Sequence, residues 1–122
     1  MPHFSPLMSL SAALSVYERL GSGDIKKGTE RVADRVRELA DYLRSNLKAA
    51  GFELLGSDGP ARSGIVSIRS TDAPVLFNRL KAAGVLTSLR RHPITNETVV
   101  VRFGVHYFNT KKELDTALSV LR

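Results

Sequence analysis

Apolar residues recur at helical spacing in the first stretch of the chain. Leu7, Leu10, Leu14 and Tyr17, with Ala13 and Leu20 beside them, predict a helix over residues 5–20. Gly21-Ser22-Gly23 stops it, and Asp24 is placed to cap the next. Over residues 24–50 the series Ile25, Val32, Val36, Leu39, Leu43, Leu47 and Ala50 holds one face. Glu30, Arg31, Asp34, Arg35, Glu38, Asp41 and Lys48 fill the rest, and Gly51 suits a left-handed cap. Such a helix runs roughly 40 Å at about 1.5 Å per residue, more than a small sheet needs for cover.

Beyond Gly51 the pattern shortens. Residues 52–55 and 63–69 read as strands, separated by the turn chemistry of Gly56-Ser57-Asp58-Gly59-Pro60. Thr71-Asp72-Ala73-Pro74 opens a helix that carries Val75, Leu76, Phe77, Leu80 and Ala83 and ends at Gly84. Residues 85–89 predict a third strand and 98–103 a fourth, with the polar loop Arg90-Arg91-His92-Pro93-Ile94-Thr95-Asn96-Glu97 between them. Thr110 and Glu113 have capping-box spacing, and Leu114, Ala117, Leu118 and Leu121 follow on one face of a last helix. Two helices, two strands, helix, two strands, helix is an α+β order: a small, mostly antiparallel sheet covered by helices, preceded by a long linking helix. The expected division is 1–50 for the amino-terminal helices and 51–122 for the α+β domain.

Composition narrows the function. With 122 residues and 43% apolar content, the chain can bury a modest core of its own. It has no cysteine, which removes disulfides, thiolate catalysis and cysteine-based metal sites. No apolar run is long enough to span a bilayer, and the start lacks the regions of a signal peptide, so a cytoplasmic location is the default expectation. The net charge of +6 permits an acidic partner, but bases and acids interleave along the helices as on a solvated face, so nucleic acid is not the expected partner.

Few residues stand out for chemistry. Arg102 sits near the end of an otherwise apolar strand, where an unpaired buried charge is costly; either it meets a carboxylate or it points to water. His106 follows in a corner and reads as a packing or capping residue rather than an acid–base group. Asn109 and Thr110 read as a turn and a helix cap. Arg90, Arg91 and His92 form a basic cluster in the loop before the last strand, with a solvated loop as the simplest reading. Gly21-Ser22-Gly23 lacks the spacing of a phosphate loop, and His3, His92 and His106 are too scattered for a metal site. No carboxylate pair suits acid–base work.

The stretch Val101-Arg102-Phe103-Gly104-Val105-His106-Tyr107-Phe108-Asn109-Thr110, running into Lys111-Lys112-Glu113-Leu114-Asp115, resembles the last strand-to-helix corner of class V, fold-type I pyridoxal-phosphate (PLP) enzymes. That family includes aminotransferases, cysteine desulfurases and isopenicillin-N-epimerase-like proteins. The shared positions are the arginine, the histidine, Asn-Thr and Glu-Leu-Asp; Gly104, Val105 and Phe108 depart from the family pattern. Pro2-His3-Phe4-Ser5-Pro6 to Ala12-Ala13-Leu14 and the strand Ser63-Gly64-Ile65-Val66-Ser67 add weaker similarity.

The resemblance implies the small carboxyl-terminal domain of such an enzyme, with Arg102 binding the substrate α-carboxylate and Arg91 a second candidate. In desulfurase relatives the loop near Arg91 carries a nucleophilic cysteine, which this chain lacks. The family's Schiff-base lysine lies in a large domain, and Lys26, Lys27, Lys48, Lys81, Lys111 and Lys112 do not stand in its sequence context. The chain alone is therefore expected to hold no PLP and to be inactive, whether it is a truncated form or a complementing subunit of a split enzyme. A basic α+β module for nucleic acid or an acidic protein is the alternative. The expected partners are the large PLP domain or, through the apolar face of residues 5–20, a second copy in a homodimer.

Overall fold

Glycines and one aspartate set the ends of the first two helices. The computed structural model describes residues 4–56, 59 and 63–122, so Pro2, His3 and the turn residues Ser57, Asp58 and Pro60 lie outside the described residues. Helix α1 (Phe4–Leu20) ends where the Ser22 N–H donates to Arg19 O and the Gly23 N–H to Glu18 O, with Ser22 itself at φ 56°. These two bonds satisfy carbonyls that the last turn leaves open. Asp24 then caps α2 (Ile25–Ala49), its Oδ1 accepting from the N–H groups of Lys26 and Lys27 at 2.9 and 3.2 Å.

The chain divides into two units, Met1–Arg35 and Val36–Arg122. In the first, the turn between α1 and α2 is drawn tight at Gly28: a Cβ there would fall on the Tyr17 carbonyl. The Arg31 guanidinium donates to the Leu20 carbonyl. No residue of α1 is buried, and Phe4, Leu7, Met8, Leu10 and Leu14 are exposed.

The second unit contains the rest of α2, from Val36, and a four-stranded sheet. The strands are β1 (Glu53–Leu55), β2 (Ile65–Arg69), β3 (Ser88–Arg90) and β4 (Val100–Gly104), in the order β1-β2-β4-β3. Every neighbouring pair is antiparallel. The fold class is therefore the α+β arrangement that the element order predicts. Helices α3 (Ala73–Ala82) and α4 (Lys111–Leu121) join α2 on one face. Leu39, Leu43 and Leu47 of α2 meet Val66 and Ile68 of β2, Val101 and Phe103 of β4, Leu80 of α3 and Leu118 of α4 in one core. Gly64, just before β2, allows a close approach: a Cβ there would fall on the Val105 carbonyl and 2.7 Å from Val36 Cγ1.

The third strand differs from the expected 85–89. Gly84 takes φ 77°, its N–H donates to Lys81 O, and the Val85 N–H turns back to Leu80 O at 2.9 Å. The helix end thus uses the Val85 donor that a strand would need. Leu86 is 86% exposed, and pairing with β4 starts only at Ser88. At the other end of α3, Asp72 makes no side-chain cap. Ser70 does that work, its Oγ accepting from Asp72 N–H at 3.1 Å and its carbonyl from Ala73 N–H.

Candidate functional site

Alternation along the strands sends two sets of side chains to opposite faces. Val101 and Phe103 enter the core, while Arg102 is exposed on the opposite face of the sheet. Register extends that face across the sheet. Arg102 stands opposite Ser67 on β2 and Ser88 on β3, and Val100 stands opposite Arg69 and Arg90. Arg69 lies 3.8 Å from Glu53 at the β1 edge.

A cavity of about 450 Å³ opens on this face. Among the described residues Arg44, Arg90, Arg91 and Arg102 line it, together with Ser63 and Ser67. Leu55, Ile65, Pro93 and Val100 supply an apolar wall, and among the described residues no acidic side chain lines it. The arginines are not equivalent. Arg44 reaches from α2 with its side chain 14% exposed; its Nη2 donates to Ser63 O and Ile65 O at 2.8 and 3.0 Å, and its Nη1 meets Asp41 at 3.3 Å. It is committed to holding the entry of β2 against α2. Arg90, Arg91 and Arg102 make no ion pair among the described residues.

The loop that carries Arg91 and Pro93 is closed by its own hydrogen bonds. The His92 N–H donates to Glu97 O at 2.7 Å, the Asn96 N–H returns to His92 O at 2.9 Å, and His92 Nδ1 accepts from the N–H groups of Ile94 and Thr95. Asn96 adopts φ 59°, a left-handed conformation that asparagine tolerates. His92 therefore organises the turn and does not line the cavity.

The corner after β4 is built by its side chains. Val105 is buried and donates to Gly64 O at 2.8 Å. Asn109 Oδ1 accepts from His106 N–H at 2.8 Å, and the exposed His106 ring accepts from Tyr107 N–H and stacks on Phe108 at 4.9 Å. Thr110 Oγ1 accepts from Glu113 N–H at 3.3 Å while the Glu113 carboxylate accepts from Thr110 N–H at 2.8 Å, a complete capping box. That backbone bond, with the Asn109 amide beside it, holds the Glu113 carboxyl below the usual carboxylate range. Asp115 accepts from Tyr42 Oη at 2.6 Å, tying α4 to α2 and raising the tyrosine hydroxyl above its usual range.

Arg102 and Arg91 thus share one cavity, whereas His106, Asn109 and Thr110 build the corner and do not line it. The sequence reading missed Arg44 altogether. Its one local signal was Asp41 three residues earlier, next to the apolar stripe at Leu43. Arg90 appeared there only as part of a basic loop; its place opposite Val100 depends on pairing that no local pattern reveals.

A forked arginine in a cavity with other arginines suits a carboxylate or phosphate, which it can engage with two parallel hydrogen bonds. It does not supply a Schiff base. Lys26, Lys27, Lys48, Lys81, Lys111 and Lys112 are all exposed, and none lines the cavity. The residues described here therefore do not fit covalent attachment of PLP. Among them, no helix is long and apolar enough to cross a membrane.

The sequence matches no protein-family model and no curated protein. Solved structures do match. With 8-amino-7-oxononanoate synthase from Francisella tularensis the chain shares 24% identity and a TM-score of 0.60, over 72% of this chain and 25% of that one. With SPT, solved with its PLP internal aldimine, the values are 26% and 0.60, over 71% of this chain and 22% of that one. The aminotransferase TlmJ from Streptoalloteichus hindustanus gives 15% and 0.62, over 80% and 34%. The chain spans about a quarter of the length of the first two enzymes. Its fold is that of the small domain of fold-type I PLP enzymes.

Proposed function

We propose that these residues form the small domain of a class V aminotransferase-like PLP protein, in which Arg102 holds the substrate α-carboxylate with Arg91 beside it. The observation that carries this reading is the setting of Arg102: an exposed fork on the outward face of the sheet, in a cavity that it lines together with Arg90 and Arg91. The class is drawn from the motif Arg102 to Asp115, whose polar members build the strand-to-helix corner. PLP and its lysine would belong to a large domain closing over the open face, in the same polypeptide or in a complementing subunit. The 122-residue chain by itself then performs no PLP chemistry. Mixed with PLP and freed of excess, it should show no cofactor absorption band that survives dialysis. A surviving band that maps to one lysine would overturn the proposal.

For the first unit we propose pairing with a second copy of the chain. Leu7, Leu10 and Leu14 of α1 line a shallow groove with Ile25, and exposed apolar surface of this kind is uncommon in monomers. Isologous pairing covers both copies at once. Leu10→Ser with Leu14→Ser should halve the mass seen by light scattering while the Val36–Arg122 unit stays folded. A wild-type chain that remains monomeric at high concentration refutes the dimer.

A further inference from the structure

We propose that His92 is a pH-sensitive clasp on the loop between β3 and β4: neutral, its ring caps a single tight turn, and protonated, it releases that turn. Arg91 and Pro93, which line the arginine cavity, flank His92, so the state of the clasp sets the order of one cavity wall. The clasp works whatever the cavity binds.

The donors of the loop converge on the ring. The Asn96 N–H closes the turn on His92 O at 2.9 Å, and the left-handed Asn96 ends it. Pro93, first in the turn, has no N–H to place. The next two donors, on Ile94 and Thr95, both run to His92 Nδ1 at 3.3 Å. This is the bonding of a helix N-cap, with an imidazole nitrogen where a side-chain oxygen ordinarily serves. The difference is titration. A hydroxyl or amide oxygen accepts at any pH, whereas an imidazole nitrogen accepts only while it carries no proton. Histidine changes charge between about pH 5 and 8. On protonation Nδ1 becomes a donor facing two donors, and Ile94 and Thr95 lose their acceptor. The capped turn is therefore present at high pH and lost as pH falls.

The charged groups around the loop are Arg91 and Glu97 within it, Arg90 and Arg102 on the flanking strands, and Arg69 of β2, which is engaged with Glu53. Among the described residues none of them pairs with the His92 ring, so the two backbone donors are what its proton displaces. His106 also accepts a backbone N–H through Nδ1, from Tyr107 at 3.0 Å. Its corner is held without that bond, by Asn109 Oδ1 and the Thr110–Glu113 capping box, and serves as an internal control.

The test follows the 122-residue chain by NMR from pH 8 to pH 5. The Ile94 and Thr95 amide resonances should shift in step with the His92 ring. Backbone order parameters of residues 93–96 should fall from about 0.85 to below about 0.6, while those of residues 106–110 hold. His92→Asn supplies an amide oxygen that caps at both pH values and should keep the turn ordered throughout. His92→Ala should leave it mobile throughout, with core amide resonances unchanged to show that the variant folds. A proton on Nδ1 at pH 8, a turn already mobile at pH 8, or one still ordered at pH 5 each overturns the clasp. So does a loss of order on acidification that persists in His92→Asn or extends equally to residues 106–110.

Discussion

The two faces of one sheet are made from alternating residues of the same strands, yet they follow different chemistry. On β2 and β4 the inward set is Val66, Ile68, Val101 and Phe103, all buried under three helices. The outward set is Ile65, Ser67, Arg69, Val100, Arg102 and Gly104, in which two arginines and a serine stand beside two apolar residues that line the cavity. Inward positions gain stability from area removed from water, at about 25 cal/mol per Å². Outward positions are relieved of that duty and can hold charges that a core would not tolerate. The lesson is separability: stability and recognition lie one residue apart in sequence and on opposite sides in space.

The separation is broken most severely from the core side. Ile68→Ala removes a fully buried side chain and should cost about 2–5 kcal/mol in denaturant unfolding. A loss below about 0.5 kcal/mol would mean that the inward face is not the core.

A smaller effect sharpens the comparison at the corner that joins β4 to α4. Thr110→Ala removes the side-chain half of the capping box and should cost about 1 kcal/mol at neutral pH. The Glu113 half makes the box sensitive to acid. Its folded carboxyl titrates below the unfolded range, so the stability is fully present above that range and is lost as pH falls through the folded value. Acid unfolding of Glu113→Gln should lack this component, and a profile identical to the wild type would remove Glu113 from the acid response.

The smallest effect on stability belongs to the open face. Arg102→Lys keeps the charge and loses the fork, and as an exposed substitution it should change stability by no more than about 0.5 kcal/mol. Carboxylate binding should fall clearly in the same variant. A large loss of stability with unchanged binding would reverse the assignment of the two faces.

Much of this was legible before any coordinates. The stripe Leu39, Leu43, Leu47 announces a buried helix face, and Asp24 and the Thr110–Glu113 pair announce caps, because these signals act within a turn or two of chain. The third strand was misjudged because Val85 has strand character, yet its N–H completes the end of α3 across Gly84. β-branched residues signal a preference, but the hydrogen-bond donor goes where the backbone first turns.

By itself the sequence determined the α+β order, the helix caps, and Arg102 as an out-of-place charge in an apolar strand. Each of these follows from neighbours along the chain. Only the tertiary structure decided that Arg90 and Arg102 share a face, that Arg44 is engaged with the entry of β2, and that His106 and Asn109 belong to a corner away from the cavity. Those relations depend on which strands pair and in what register. A shift of one residue would turn Arg102 into the core, and burial of Val101 and Phe103 opposes that shift.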